Sequence, residues 1–302
     1  HSIIRRWLRA GASGWRLDVA DELPDGFIAA IRRVMEEETP DGYLLGEVWE
    51  DGTTKIAYSK RRKYLLGCET HGLMNYPFRT ALLDFLRGGD AAVFRERMEE
   101  LREHYPAPAY YSAMNFLSTH DTPRLLTLLG HEGDAPATRG ERAAYLLSEE
   151  EKSRGTALLK LAALILYTFP GSPMLYYGDE AGMQGFEDPF NRGPYPWGHE
   201  DAALLRYFRQ LGALRKAHEA LQRGTIDYCA AQGRVLAFRR ASNSEKCITA
   251  VNAGEQSAAL TLPWDAPLAE DALTRQSFFC GDGLLRLTLE PYGAVLLIEP
   301  EN

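Results

Sequence analysis

Strand-like and helix-like segments alternate along the first 221 residues of the chain, and this alternation constrains its fold more than any other feature. Short runs of aliphatic and aromatic residues are separated by longer stretches whose apolar positions recur with helical spacing. Strands that alternate with helices form βα units on a parallel sheet, so this part is predicted to be an α/β domain. The strand-like runs are, in chain order, GWRLDV (14–19), YLLGEV (43–48), LMNY (73–76), AMNFLST (113–119) and MLYYGD (174–179).

From residue 222 the pattern changes to short strand-like runs with turn residues between them. This part includes RVLAFRR (234–240) and AVLLI (294–298), and no long helical stretch interrupts it. Closely spaced short strands without helices are typical of an all-β sandwich. The chain is therefore predicted to consist of an α/β domain over residues 1–221 and a β-sandwich domain over residues 222–302.

Charge and cysteine content narrow the classes of partner and location. The formal net charge of −8 argues against nucleic acid or an acidic membrane surface as the main partner, because either would favour clustered Lys and Arg. The most apolar segment, residues 157–169, is too short to span a bilayer and contains Lys160, so a buried helix is expected. The four cysteines are widely spaced without a metal-ligand pattern. They are predicted to be free thiols, which favours a reducing, cytoplasmic location.

A charged pair lies within the first strand-like run. Because alternate residues of a strand share a face, Arg16 and Asp18 are expected to point together into a cavity, with Trp15, Leu17 and Val19 on the opposite face. The arginine would keep Asp18 ionised, as a carboxylate nucleophile requires. A structural ion pair explains the same residues equally well, and this stretch alone leaves both interpretations open.

Acids also follow two other strand-like runs. Glu47 stands beside Val48 and Trp49, and an acid with apolar neighbours is poorly solvated, which favours the protonated form that a general acid needs. His120 and Asp121 close the run AMNFLST, although they could also cap the helix that follows. Three acids thus end three different strands of a parallel array, which is where the active sites of barrel enzymes are assembled.

These motifs carry a family resemblance. In chain order, GWRLDVADE (14–22), GEVW (46–49) and FLSTHDT (116–122) resemble the second, third and fourth signature regions of the α-amylase superfamily of glycoside hydrolases. Residues 170–197 resemble the eighth strand of that superfamily and its following loop. The ending VADE, LMNYPF (73–78) and DPFNR (188–192) are most similar to the neopullulanase, cyclomaltodextrinase and maltogenic amylase group. The resemblance implies the second half of a (β/α)8 TIM barrel, from strand 4 to strand 8, followed by the C-terminal β-sandwich of the family.

The resemblance also implies a role for individual residues. It makes Asp18 the nucleophile, Glu47 the general acid/base and Asp121 the acid that stabilises the transition state. The remaining matches are substrate-binding positions: Arg16 beside the nucleophile, His120 in the cleaved subsite, Asp188 and Arg192 near the donor sugars, and Trp49 and Glu22 on the acceptor side. For the last four, loop packing or surface charge is the alternative.

The implied activity is retaining hydrolysis of α-1,4-glucosidic bonds in maltodextrins, cyclodextrins or starch-like glucans. An oligo-α-glucosidase is the nearest alternative enzyme. A non-catalytic carbohydrate-binding or interaction protein on the same fold is the alternative from a different class. The resemblance implies no cofactor. The usual calcium site of the family draws on residues before the fourth barrel strand, so no metal is predicted for this chain and calcium only for a full-length enzyme.

The matched motifs begin at the fourth strand of the family's barrel. Three βα units, about 100 residues, would have to precede His1. The remaining βα units cannot close a barrel without exposing sheet edges and apolar helix faces. We therefore expect a fragment with little or no glycosidase activity by itself. Its barrel would be completed by a missing N-terminal half or by a partner chain such as a homodimer copy.

Overall fold

The computed structural model of the protein describes residues 2–300. The described chain forms two compact units, one of residues 2–80 and 96–115 and the other of residues 81–95 and 116–300. The chain contains both helices and strands as far as Arg223, and only strands follow from Thr225 onward. This order confirms the predicted α/β region followed by an all-β region.

The first unit is built on a three-stranded parallel sheet. Its strand order is β1-β2-β5, and a short hairpin, β3-β4, stands outside that sheet. The strands of this unit are β1 (Gly14–Leu17), β2 (Tyr43–Gly46), β3 (Ile56–Ala57), β4 (Lys60–Arg61), β5 (Gly72–Leu73) and β6 (Met114–Asn115). Its helical segments are α1 (Ser2–Arg9), a 3-10 helix (Ala20–Glu22), α2 (Asp25–Glu38), the start of α3 (Tyr76–Leu86), the end of α4 (Ala91–His104) and α5 (Ala107–Ser112).

Helix α2 shows why this unit has its βα architecture. Its buried residues are Ile28, Ile31, Val34 and Met35, a spacing that gives one apolar stripe along a helix. The same apolar spacing in the sequence DGFIAAIRRVMEEE predicts a helix over residues 25–38, and the observed helix has these bounds. After α2 the chain enters β2, which pairs in parallel with β1. The α-helix is therefore the crossover between two neighbouring parallel strands.

The second unit contains the remaining helices and the β domain. Its helices, besides the end of α3 and the start of α4, are α6 (Leu125–Gly130), α7 (Arg139–Ala144), α8 (Glu149–Thr168), α9 (Ala202–Ala217) and α10 (Glu219–Arg223). Its strands are β7 (Ser172–Pro173), β8 (Thr225–Gln232), β9 (Val235–Ala241), β10 (Lys246–Asn252), β11 (Ala258–Pro263), β12 (Leu268–Asp271), β13 (Ser277–Phe279), β14 (Leu284–Leu289) and β15 (Ala294–Ile298).

Two predicted segments differ from the observed ones in this unit. The strand predicted over 174–179 is wrong, because the chain leaves β7 after Pro173 and turns at Gly178, whose φ is +90°. The sequence of residues 130–155 predicts a long, partly ordered loop, but the segment is partly helical. Helices α7 and α8 begin there, and each starts with a reciprocal capping box, Thr138 with Glu141 and Ser148 with Glu151. The S/T-x-x-E pattern that marks such helix starts was present in the sequence.

The all-β part has the predicted two-layer organisation. A six-stranded antiparallel sheet has the order β13-β12-β15-β10-β9-β8, and β11 pairs with β14 in a second sheet. Both sheets contribute to one core around the fully buried Trp264, with Ile248 and Leu297 from the large sheet and Leu285 from the small one. The indole Nε1 of Trp264 donates to the Leu268 carbonyl at 3.0 Å, so its polar atom is satisfied inside the core.

Two smaller expectations are also confirmed. The apolar segment 157–169 lies almost entirely in α8, where Leu158, Leu161, Ala162 and Ile165 are buried. All four cysteines are free thiols. Among residues 2–300, no helix combines the length and the apolar character needed to cross a bilayer.

A buried acid in the first unit makes the stability of the fold depend on pH. Glu69 is 4% exposed, and its Oε2 accepts no hydrogen bond within the described chain. Burial raises the pKa of Glu69 from 4.5 to about 7, and the negative charge of Asp25 adds to the effect. The folded state binds the carboxyl proton of Glu69 more tightly than the unfolded state does. The contribution of Glu69 to stability is therefore greatest below pH 4.5 and is lost as the pH rises to about 7.

We therefore expect Glu69→Gln to remove a pH-dependent loss of stability. The melting temperature of the variant relative to the parent should rise by a few degrees between pH 4.5 and pH 8, measured by thermal denaturation. Glu103→Gln changes an exposed acid of α4 and should show no such trend. A constant difference between parent and Glu69→Gln across this range would contradict the assignment.

Candidate active site

Arg16 connects the two acids that follow β1 and β2. Its Nη1 is 2.9 Å from Asp18 Oδ1, and its Nη2 is 2.9 Å from Glu47 Oε2. Its Nε contacts the sulfur of Met74 at 3.3 Å. The parallel register pairs Leu17 with Gly46, so the two acids follow their strands at the same edge of the sheet. A planar guanidinium with several donors can hold two carboxylates at once, which a lysine cannot do with the same geometry.

The two acids differ in their exposure to solvent. The Asp18 side chain is 72% exposed, whereas Glu47 is 4% exposed. An exposed carboxylate held from one side by an arginine is free to approach a ligand. A buried one keeps a fixed position relative to it. The predicted pairing of Arg16 with Asp18 is confirmed, and Glu47 is joined to the same guanidinium.

Glu47 has a more polar environment than its sequence neighbours indicated. The Val19 backbone N–H donates to Oε2 at 2.9 Å, and both Trp49 Nε1 and the Tyr76 hydroxyl donate to Oε1 at 3.3 Å. These donors and the guanidinium of Arg16 surround the buried carboxylate with polar groups. Glu47 is poorly solvated, as its sequence neighbours predict, but the neighbouring aromatic residues present their polar atoms to the acid.

Val19 departs from the expected strand. β1 ends at Leu17, and Val19 has φ of 44°, in the left-handed region that β-branched residues rarely adopt. Its side chain is exposed, so the expectation that it would pack opposite Arg16 is wrong. This backbone conformation directs the Val19 N–H to Glu47. Strained residues of this kind are found where a functional geometry demands them.

The two residues matched to the acceptor side each follow one of the paired acids in sequence, Glu22 after Asp18 and Trp49 after Glu47. Trp49 stacks on Tyr76 with ring centroids 4.7 Å apart and planes inclined by 15°, and 56% of Trp49 is exposed. Glu22 ends the 3-10 helix and accepts a hydrogen bond from the Tyr58 hydroxyl. Trp49 thus combines a fixed orientation with an open ring face, which suits stacking against a sugar ring.

A cleft of about 350 Å³ opens beside Trp49 in the same unit. Its wall includes the Asp51–His104 pair, with Oδ2 and Nδ1 2.6 Å apart, together with Arg97 and Glu100. An aromatic ring next to several charged hydrogen-bonding groups is a suitable lining for a ligand rich in hydroxyl groups.

The loop after β6 carries the third predicted acid, in the second unit. His120 Nε2 is 3.1 Å from Asp121 Oδ2, and Arg192 Nη2 is 3.7 Å from Asp121 Oδ1. Arg192 also forms an ion pair with Asp188, with Nε 2.8 Å from Oδ1. The structure therefore brings His120, Asp121, Asp188 and Arg192 together in one polar cluster, and their side chains remain partly exposed.

Two residues of the candidate site were not singled out from the sequence. Tyr76 donates to Glu47 and supports Trp49, and Asn191 donates to the backbone of the loop that carries Asp121. Both stand inside motifs that carried the resemblance, LMNYPF and DPFNR. Neither residue type has a spacing that signals its role, because each acts through a tertiary contact.

One group of side chains in the described chain has metal-ligand geometry. His218, Glu245 and Cys247 have ligand atoms within 4.8 Å of one another. The Glu245 carboxylate is already engaged, since it accepts from the Ala220 N–H at 2.8 Å and contacts His218 Nδ1 at 2.9 Å. Burial raises the pKa of Cys247 to about 12, which opposes the thiolate that a metal would need. These residues fit a capped helix start better than a metal centre.

Comparison with protein families matches both parts of the chain. Residues 1–195 match the family model described as alpha amylase, catalytic domain. Residues 230–296 match the model described as maltogenic amylase, C-terminal domain.

Individual relatives agree with these matches. An amylopullulanase of Thermoanaerobacter thermohydrosulfuricus is 35% identical, over 80% of this chain and 16% of the relative. A cyclomaltodextrinase of Geobacillus thermopakistaniensis is 34% identical, over 96% of this chain and 45% of the relative. The chain therefore spans less than half the length of these two curated relatives. Among solved structures, a debranching enzyme from Nostoc punctiforme superposes with a TM-score of 0.80 at 28% identity, covering 99% of this chain and 60% of that one.

The family match extends from the acid pair at β1 and β2 through the loop of Asp121 and on to Asp188 and Arg192, and a second match covers most of the β domain. The structural similarity to the debranching enzyme covers 99% of this chain. The chain belongs to the α-amylase family, with the fold of its catalytic barrel domain followed by an antiparallel C-terminal β domain.

Proposed function

We propose that the protein, in its natural length, is a retaining glycoside hydrolase that cleaves α-1,4-glucosidic bonds of maltodextrins, cyclodextrins or starch-like glucans. Residues 1–221 would supply the catalytic part and residues 222–302 the β domain. The observation that carries the proposal is the attachment of Asp18 and Glu47 to the single guanidinium of Arg16. The names of the relatives, cyclomaltodextrinase and amylopullulanase, support the substrate class.

In the first step, Asp18 attacks the anomeric carbon while Glu47 gives a proton to the leaving oxygen. Arg16 holds the exposed Asp18 carboxylate in position for this attack. Its oxygen forms the glycosyl ester bond as the glycosidic bond breaks, and the leaving sugar departs with the proton from Glu47. Because Glu47 is buried and bound by three donors, its carboxyl group stays in place during this transfer.

In the second step, Arg16 forms an ion pair with Glu47 but no longer with Asp18. Asp18 is a neutral ester in the intermediate, so the positive charge of Arg16 is balanced by Glu47 alone. Glu47, which has given its proton to the leaving sugar, then takes a proton from water as the water attacks the anomeric carbon, and the ester bond to Asp18 breaks to restore the carboxylate. The sugar leaves with its original anomeric configuration because each of the two displacements inverts it.

The other residues would bind the glucan. We assign Asp121 to stabilising the transition state through the sugar hydroxyls and its charge, and His120 to the cleaved subsite. Asp188 and Arg192 would contact donor sugars, and Trp49 and Glu22 acceptor sugars. The ion pairs of Arg192 with Asp188 and Asp121 support their grouping on one side of the substrate.

The proposed chemistry draws on carboxylates and water, without a cofactor. The free thiols support the cytoplasm as the proposed location. Completion of the barrel by an N-terminal segment or by a partner copy stays a prediction from the sequence.

Product stereochemistry tests the proposal. Maltoheptaose incubated with the protein in its natural length should release α-anomers first, followed in real time by proton NMR. Opening of a cyclodextrin, which has no chain end, would distinguish this activity from that of an oligo-α-glucosidase. Initial release of β-anomers would contradict retention, and calorimetric binding of maltoheptaose without any product would instead indicate a carbohydrate-binding protein.

A further inference from the structure

Asn191 is a fully buried amide with an unusual set of partners. Its Nδ2 lies 2.8 Å from the carbonyl oxygens of His120 and Thr122 and 3.2 Å from that of Thr119. Three carbonyl oxygens around one atom require a donor there, so the amide orientation follows from its neighbours. Its Oδ1 is buried without a hydrogen-bond partner in the described chain. A buried unpaired oxygen is costly, and such an exception in a native structure calls for an explanation.

The loop that Asn191 contacts pairs several of its N–H groups internally, and three of its carbonyls accept from Asn191. The Thr119 N–H donates to Thr122 Oγ1 at 2.8 Å, and the Asp121 N–H donates to Thr119 Oγ1 at 3.1 Å. The Thr119 carbonyl accepts from the Thr122 N–H at 3.3 Å as well as from Asn191. The His120 carbonyl accepts from Asn191 and from Arg192 Nε, the latter at 3.2 Å. The threonines therefore organise the loop from within, and Asn191 fixes it from outside.

We propose that Asn191 is a positioning residue that holds the loop of Asp121 in its reactive geometry. This inference rests on the proposed function. Asn191 acts through the backbone on both sides of Asp121, while the adjacent Arg192 contacts the Asp121 carboxylate itself. The segment DPFNR therefore connects Asp188 and Arg192, which match donor-sugar positions, to Asp121, the acid proposed to stabilise the transition state. A displacement of about 1 Å at a catalytic group can cost about 10²-fold in rate.

The kinetic test is Asn191→Ala, with Asn191→Ser as a second variant that keeps one donor. In the protein of natural length, Asn191→Ala should lower kcat for maltoheptaose by about 10²-fold and change KM by less than about threefold. Asn191→Ser should recover part of the loss. Asn243→Ala, an exposed asparagine of the β domain, is the matched control and should behave as the parent does.

A double-mutant cycle distinguishes positioning from a general structural role. If Asn191 acts through Asp121, then Asn191→Ala should cost much less in an Asp121→Asn background than in the parent. An equal loss in both backgrounds, or a parent-like kcat in Asn191→Ala, would overturn the inference.

A measurement independent of activity keeps this inference separate from the proposed function. Hydrogen exchange of the amides of Thr119, Asp121 and Thr122 should be about tenfold faster or more in Asn191→Ala and in Asn191→Ser, at a temperature at which both variants remain folded. Unchanged exchange would overturn the positioning role even if the parent is active. Faster exchange in a parent without glycosidase activity would support the structural hold on the loop and refute the proposed function alone.

Discussion

Replacing Asp18 by asparagine is expected to lower kcat for maltoheptaose by at least about 10⁴-fold. Asparagine keeps the shape of the side chain but cannot form the glycosyl ester, so the double displacement loses its first covalent step. Because the Asp18 side chain is 72% exposed, its replacement should leave the fold intact. The measurement is steady-state kinetics on the protein in its natural length, with the melting temperature recorded alongside.

The matched control for this variant is Asp41→Asn. Asp41 is an exposed acid that precedes β2, at the opposite end of that strand from Glu47, and its replacement should leave kcat unchanged. An Asp18→Asn protein that folds normally and retains more than about a tenth of the parent rate would show that Asp18 and Arg16 form a structural ion pair.

Replacing Glu47 by glutamine is expected to lower kcat by about 10²- to 10⁴-fold for maltooligosaccharides. The reason differs from that for Asp18. Glu47 gives a proton to the leaving sugar, and this proton matters only where the leaving group is poor. A maltoside with a nitrophenol leaving group should therefore lose much less in the first step than a natural glucan does. This dependence on the leaving group separates a general acid from a residue that only supports the site.

Kinetics on both substrates, with Glu103→Gln as an exposed control, measure this effect. Glutamine keeps the shape of glutamate, and its one oxygen can still accept hydrogen bonds from Trp49 Nε1 and the Tyr76 hydroxyl, the two donors to Oε1, so large unfolding is not expected. Equal losses of kcat/KM, which reports the first step, for the two substrates would contradict the assignment of Glu47 as the proton donor.

The arrangement of the acid pair could be predicted from the sequence because it depends on regular structure. Alternation along β1 sets Arg16 and Asp18 on one side, and parallel pairing brings the end of β2 to the same edge. The bounds of α2 followed from its apolar spacing in the same way. Periodic patterns encode such features locally, so one sequence is enough to read them.

Other parts of the site depend on contacts that no local pattern encodes. The left-handed backbone of Val19 opposes the intrinsic preference of valine and is imposed by its surroundings. Asn191 reaches across more than 60 residues of sequence to the loop of Asp121. The polar donors around Glu47 come from side chains that read as apolar in the sequence. In each case the tertiary structure decides which atom of a residue faces the site.

The most direct test of the proposed mechanism is to trap the covalent intermediate. A maltosyl fluoride with a second fluorine on the reacting sugar ring should react through its good leaving group, while the ring fluorine slows hydrolysis of the ester. Mass spectrometry of the digested protein should then find the fluorinated sugar on Asp18, within the segment GWRLDVADE. An adduct on any other residue, or inactivation without any adduct, would contradict the assignment of Asp18 as the nucleophile held by Arg16.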